Sequence, residues 1–157
     1  MATCNNGRHA WVALSGGTAV RVDLTAATVD LQFDFAPVES TVFLLAAPSG
    51  QSNILIAAFT GSDRLTVFDG GVRLPMDYGP LPMAGGPSLV FSPGGRLFVA
   101  ASQMLRELEI TPSGLAEVRD LDRAAVDGGS ALSYAAGRLF YSNGRVVNPD
   151  TEAVDDT

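Results

Sequence analysis

One apolar stretch returns along this chain at nearly constant intervals. Asn53 to Ala58 (Asn-Ile-Leu-Ile-Ala-Ala), Arg96 to Ala101 (Arg-Leu-Phe-Val-Ala-Ala) and Arg138 to Asn143 (Arg-Leu-Phe-Tyr-Ser-Asn) are three copies, and His9 to Leu14 (His-Ala-Trp-Val-Ala-Leu) is a weaker fourth. Equivalent positions lie 44, 43 and 42 residues apart. A unit of that length made of short strands cannot hide its apolar flanks alone, so copies must stack, and radial stacking of four-stranded sheets gives a β-propeller. A β-sandwich or barrel also yields short strands at regular spacing, but strand, strand and turn recur here in matched order, which favours radial repetition.

The expected fold is therefore all-β, a propeller of about three and a half to four antiparallel four-stranded blades in one domain over 1–157. The repeats run over residues 8–36, 41–79, 87–122 and 130–157. In the third, Ser88 to Ser92, Arg96 to Ser102, Met104 to Ile110 and Leu115 to Leu121 read as strands, joined through Pro93-Gly94-Gly95 and Thr111-Pro112-Ser113-Gly114. The second repeats this plan with Thr41 to Ala47, Asn53 to Phe59, Arg64 to Asp69 and Val72 to Asp77, the last two joined by the hairpin signal Asp69-Gly70-Gly71. The first shows Ala10 to Leu14, Ala19 to Leu24 and Val29 to Phe35, without an opening strand. The fourth shows Ala131 to Ala135, Arg138 to Ser142 and Arg145 to Val147, without a closing one. Continuous apolar runs such as Ile54 to Phe59 predict strands covered on both faces, whereas Val20, Val22 and Leu24 alternating with Arg21 and Asp23 predict an outer strand with one wetter face.

Composition narrows the function. All ten basic residues are arginine, so no mechanism resting on a lysine amine is open, neither a Schiff base nor a P-loop lysine. A net charge of −7, with arginines spaced singly, opposes phosphate-backbone binding, and nucleic acid is not an expected partner. Cys4 is alone, which rules out an intrachain disulfide and a cysteine zinc cluster. The polar start from Met1 to Gly7 is no secretory signal, and the apolar runs are too short to span a bilayer, so the expectation is a soluble chain with no membrane partner and an unspecified compartment.

Ser92 to Ala100 (Ser-Pro-Gly-Gly-Arg-Leu-Phe-Val-Ala) resembles the S-P-D-G-R-x-L-Y-V-A core of the YVTN-type and lactonase-like β-propellers. Val20 to Thr25 and Leu65 to Asp69 are similar to the V-x-V-I-D strand that follows it there, and Val146 to Val154 to the same strand with its turn, V-x-D-P-x-T-x-x-V. The resemblance spans most of the chain through degenerate motifs. It departs from the WD-repeat and kelch patterns, since Trp11 precedes valine and no Gly-Gly pair holds a fixed place in each unit. What it implies is a ring of about seven blades, often in exported bacterial proteins, with roles from sugar-lactone hydrolysis to surface scaffolding.

Candidate chemistry is sparse. His9 is the only imidazole, stands at the start of a strand and has no Gly-x-Ser-x-Gly elbow to serve, so a structural role is expected. Asp120, Asp122 and Asp127 form one acidic group and Asp150, Glu152, Asp155 and Asp156 another, but neither has calcium-loop spacing, and Arg119 and Arg123 stand ready to neutralise the first. Arg64, Arg96 and Arg138 open strands in three repeats and invite comparison with an anion-binding ring, against the plainer expectation of pairing with local carboxylates. Gly16-Gly17 and Gly85-Gly86 lack a phosphate-loop context. No catalytic, cofactor or metal residue is assigned. The preferred reading is a non-catalytic scaffold or protein-interaction module, part of a longer propeller or closed by self-association. The alternative is a lactonase-like hydrolase with a metal or acid–base site at the axial mouth, where Gln51, Ser52 and Gly94 are the loop residues on offer. A closed four-bladed monomer is a third possibility.

Overall fold

The computed structural model describes residues 2–4, 7–35, 42–81, 87–101, 104–121 and 131–155. These residues form four four-stranded antiparallel sheets in which strand order follows chain order. The first holds β1 (Ala2–Cys4), β2 (His9–Leu14), β3 (Thr18–Asp23) and β4 (Thr28–Asp34), and the second β5 (Val42–Ala46), β6 (Ile54–Phe59), β7 (Leu65–Asp69) and β8 (Val72–Arg73). The third holds β9 (Ser88–Phe91), β10 (Leu97–Ala101), β11 (Met104–Thr111) and β12 (Gly114–Asp120), and the fourth β13 (Leu132–Ala135), β14 (Arg138–Tyr141), β15 (Val146–Val147) and β16 (Val154–Asp155). Each recurring apolar stretch is the second strand of its own sheet. The matched segments thus repeat between sheets instead of pairing within one.

Two compact units divide the chain, Met1–Pro80 with Thr111–Leu115, and Leu81–Ile110 with Ala116–Thr157. In the first unit, blades one and two meet over an aromatic core. Trp11, Ala19 and Phe35 pack with Leu55, Ala57, Phe59 and Phe68, and Phe33 and Leu31 lie against them. Phe33 meets Trp11 edge-on at 5.8 Å between centroids, and Phe35 meets Phe59 and Phe68 at 5.3 Å. Edge-on rings of this kind gain about 0.5–1.5 kcal/mol beyond area burial. The Asp69-Gly70-Gly71 hairpin closes against the same core. Gly71 sits at φ +87°, and a Cβ there would lie 3.0 Å from Cδ1 of Phe33, so both conformation and space demand glycine. In the second unit, blades three and four meet over Phe98, Ala100, Leu105, Leu121, Leu139, Tyr141 and Val147. There Phe98 stacks flat on Tyr134, with an interplanar angle of 8° and centroids 5.8 Å apart.

β6 and β10 are buried at every position, as expected of strands covered on both faces. β14 alternates instead, with Leu139 and Tyr141 buried and Phe140 exposed. Four further expectations are corrected. Blade one does have an opening strand, β1, paired Ala2 to Trp11, Thr3 to Ala10 and Cys4 to His9. Blade four does have a closing strand, β16, paired Val147 to Val154 after a turn in which Asn148 accepts from the Glu152 amide. Both are two or three residues long, too short to carry a period-two signal. In β3 the supposed wet face is the covered one, because the Arg21 and Asp23 side chains are only 13% and 10% exposed, held by ionic partners on the blade one to blade two side. The strand expected over Val72 to Asp77 stops at Arg73, after which Asp77 accepts a hydrogen bond from Thr66 Oγ1. Thr41, Ser102, Gly85, Gly86, Asp122, Arg123, Asp127 and Asp156 lie outside the described residues.

Candidate functional site

The turn Ser15-Gly16-Gly17 sets the β2–β3 register, placing His9 opposite Asp23 and Trp11 opposite Arg21, so all four side chains share the face turned to blade two. On β4 the register shifts between the partners of Arg21 and Val22, leaving Asp30 as the extra residue. Such a bulge re-aims a side chain. Asp30 is brought to Arg21, whose Nε and Nη2 donate to Oδ1 and Oδ2 at 2.9 and 3.1 Å. Arg21 Nη1 crosses to blade two and donates to the Ser52 carbonyl at 3.0 Å and to Asn53 Oδ1 at 2.7 Å. Its guanidinium carbon lies 5.8 Å from the Trp11 ring centroid, within cation–π reach.

Asp23 accepts from the Thr25 and Ala26 amides through Oδ1 and from Arg8 Nε and Nη2 through Oδ2. The Ala26 amide and then Arg8 hold its carboxyl down to about 2, against the opposing effect of burial. Asp30 is also held below the usual range, chiefly by Arg21. The buried His9 ring places Nε2 3.4 Å from Asp30 Oδ2 and 3.9 Å from Asp23 Oδ2. His9, Asp23 and Asp30 thus bring one ligand atom each within 4.8 Å of one another, the geometry from which a metal centre is built. The carboxylates, however, are already committed to two guanidiniums, and a dication among them would stand beside both charges. This donor set fits a balanced ionic network better than a metal cage.

The second unit repeats the device with different parts. Glu107 faces the same side as Phe98 across β10 and β11. Its oxygens take Arg96 Nε at 2.6 Å, Arg96 Nη2 at 2.8 Å and Arg119 Nε at 2.7 Å. The Arg96 fork, followed by Arg119, keeps this buried carboxyl below its ordinary range although burial opposes it, and Glu107 in return raises Arg96. Arg96 Nη1 reaches blade four at Asp150 Oδ1, 2.7 Å away, while Arg119 Nη2 donates to the Pro149 carbonyl. The Arg96 guanidinium lies 5.1 Å from the Phe98 centroid.

The sequence-derived candidates are redistributed accordingly. Arg96 immediately precedes the second strand of its blade and Arg138 is the first residue of its own, but Arg64 precedes β7, the third strand of its blade, so the three do not share one level. Arg64 stands near Asp63 at 3.8 Å and Arg138 meets Asp155 at 2.6 Å, so each of the three has a carboxylate of its own. Asp120 lies by Arg106, not Arg119. Asp150, Glu152 and Asp155 are shared out among Arg96, Arg119 and Arg138. Ser52 lends its carbonyl to Arg21, and Gly94 lies in the turn where the Arg96 amide donates to Ser92 Oγ. Cys4 lies in β1. Among the described residues no helix is long and apolar enough to cross a membrane.

No protein-family model matches this chain. No curated protein matches it either. Solved structures do. The Cps50 (Swd1) β-propeller domain of Myceliophteria thermophila is 14% identical with a TM-score of 0.65, covering 93% of this chain and 46% of its own. A mitotic checkpoint complex chain is 15% identical (TM-score 0.61; 87% and 43%), and the hydrazine synthase of Kuenenia stuttgartiensis is 16% identical (0.70; 99% and 47%). The fold is a β-propeller. The chain spans about half the length of these structures, and at such identities the likeness concerns the fold alone.

Proposed function

We propose that this chain is a non-catalytic propeller module for binding protein partners, contributing four blades to a larger ring completed by a second copy or by the rest of a longer chain. The observation that carries this reading is the match of nearly the whole chain to about half of each larger structure, 46% of the Cps50 domain and 47% of the hydrazine synthase chain. One neighbour comes from a protein complex and another from an enzyme, so fold does not choose between binding and catalysis. The polar networks favour binding. Asp23, Asp30, Glu107 and Asp150, the carboxylates a hydrolytic site would draw on, all accept from arginines that join strands or blades. Recognition then falls to the loops. Kinship with the YVTN-type propellers, carried by Ser92 to Ala100 and Val146 to Val154, belongs to the same proposal.

The test is a lactone-hydrolysis assay with calcium, zinc or manganese supplied in turn. The expected rate is that of the buffer; metal-dependent turnover abolished by Asp30→Asn overturns the binding reading in favour of a lactonase-like hydrolase. Further copies of the repeat in the gene on either side of this stretch would assign the remaining blades to the same chain.

A further inference from the structure

The outer edge of blade two does not run straight. β8 ends at Arg73, because Pro75 has no amide to give to a ladder and holds Leu74 extended before it. Leu74 still donates to the Val67 carbonyl, and Tyr78 pairs with Leu65 in both directions, its amide at 2.9 Å and its carbonyl at 2.8 Å. Leu74 and Tyr78 stand farther apart in the chain than Val67 and Leu65 do, so the segment between them bows out from β7. Asp77 fixes the bow by accepting from Thr66 Oγ1 and from Arg73 Nη2. The Met76 amide is thereby turned from its own blade and donates instead to the Ser113 carbonyl at 2.8 Å.

The receiving turn is shaped for this contact. Thr111-Pro112-Ser113-Gly114 links β11 to β12, and Thr111 Oγ1 accepts from the Ser113 amide and donates to the Gly114 carbonyl. Met76 and Gly114 then pair in parallel. Gly114 sits at φ +141°, where side chains are rarely found, and a Cβ on it would overlap the Met76 carbonyl oxygen. Glycine alone meets both demands. The result shows in how the chain divides: Thr111–Leu115 belongs to the same compact unit as blade two, although residues 104–110 and 116–120 of the two strands that carry it do not.

We infer that residues 74–78 and 111–115 form a latch gated by Gly114, which makes the β11–β12 turn open and close with the first unit and not with its own strands. One hydrogen bond beside one parallel bridge is a weak tie by itself. Here both partners are ordered before they meet, the bow by Asp77 and the turn by Thr111, so little conformational entropy is left to lose on closing. The Met76 side chain stays 58% exposed while its amide is tied, so the latch forms at the surface without a core of its own. Two loops that would fluctuate separately move as one. In a module that meets its partners through loops, such a pair presents a fixed surface.

Amide hydrogen exchange on the full chain, read residue by residue by nuclear magnetic resonance, tests the latch from both sides. In the parent the Met76 amide should be protected and exchange with the Leu65 and Tyr78 amides of blade two. Gly114→Ala should speed exchange at Met76 by about tenfold or more while Leu65, Tyr78 and β10 keep their rates. Met76→Pro removes the donor without touching the turn, and it should speed exchange at Ser113 by a similar factor. Should Gly114→Ala loosen the whole fold, Met76→Pro decides alone, since Pro75 already holds that segment clear of a regular ladder. An unprotected Met76 amide in the parent, or a Met76→Pro chain in which Ser113 exchanges as before, overturns the inference. Neither result bears on lactone turnover or on further repeats in the gene, so a failed latch leaves the binding reading standing.

Discussion

Two blade junctions, one in each unit, solve the same problem with opposite placement of charge. In both, an arginine stands over an aromatic ring of its own blade, grips a carboxylate of that blade and reaches an oxygen of the next. Between blades one and two the deeply placed member is Arg21, and its acceptors on blade two are neutral, the Ser52 carbonyl and Asn53. Between blades three and four the deeply placed member is Glu107, clasped by two guanidiniums, and the acceptor on blade four is the charged Asp150. A buried cation served by several acceptors tolerates the loss of one. A buried anion on which two cations converge is the more exacting arrangement, since its removal takes the main carboxylate from both and leaves Arg96 hydrogen-bonded only to Asp150 and Arg119 only to the Pro149 carbonyl.

Acid should act on both junctions at once and give the largest effect. Asp23, Asp30 and Glu107 all ionise below their ordinary values in the folded chain, so their contribution to stability is complete above the usual carboxylate range and is lost as pH falls through the folded values, toward about 2 for Asp23. Urea midpoints should therefore be level from neutrality down to about pH 5 and decline below it. Midpoints that rise on acidification would mean these carboxylates are not paired as described. Next in size, Glu107→Gln should cost about 2–3 kcal/mol, under the full penalty for a buried pair because Arg96 and Arg119 keep some contact with water. The variant should also flatten the acid decline. Arg21→Lys keeps the charge but loses the fork that serves Asp30 and blade two together, and about 1–2 kcal/mol is expected from the same urea curves. A loss equal to that of Glu107→Gln would erase the contrast between the junctions. The smallest effect belongs to Tyr141, whose buried hydroxyl has no partner among the described residues and whose ionisation burial pushes up. Tyr141→Phe removes an unpaid desolvation, and its melting temperature should match or exceed that of the parent.

What a reader of the sequence can recover follows from signal length. The period survives in six-residue apolar runs, and with it the strand positions, most within one or two residues of those observed. β1, β8 and β16 are two or three residues long and carry no pattern of their own; neighbouring backbone, not side-chain periodicity, makes them strands. The His9 and Asp23 pairing was within reach, because the Gly16-Gly17 turn fixes the register of β2 on β3. Glu107 also left a trace, as a charge sharing a strand face with Leu105. Asp30 left none, since a bulge shifts parity without a residue type to announce it. Arg64 misled for a related reason. It opens a strand as Arg96 does, and only the sheet order separates the third position from the second.

The up-and-down path within every sheet bears on how such a molecule is made. Because each ladder closes among consecutive residues, a ribosome delivering the N-terminus first can finish one blade before the next has left the tunnel. Mispairing between similar units is thereby limited by timing as well as by fit. The same locality lets a gene gain or shed one unit by unequal recombination without rewiring any surviving ladder, so lineages of such rings can change size in whole steps.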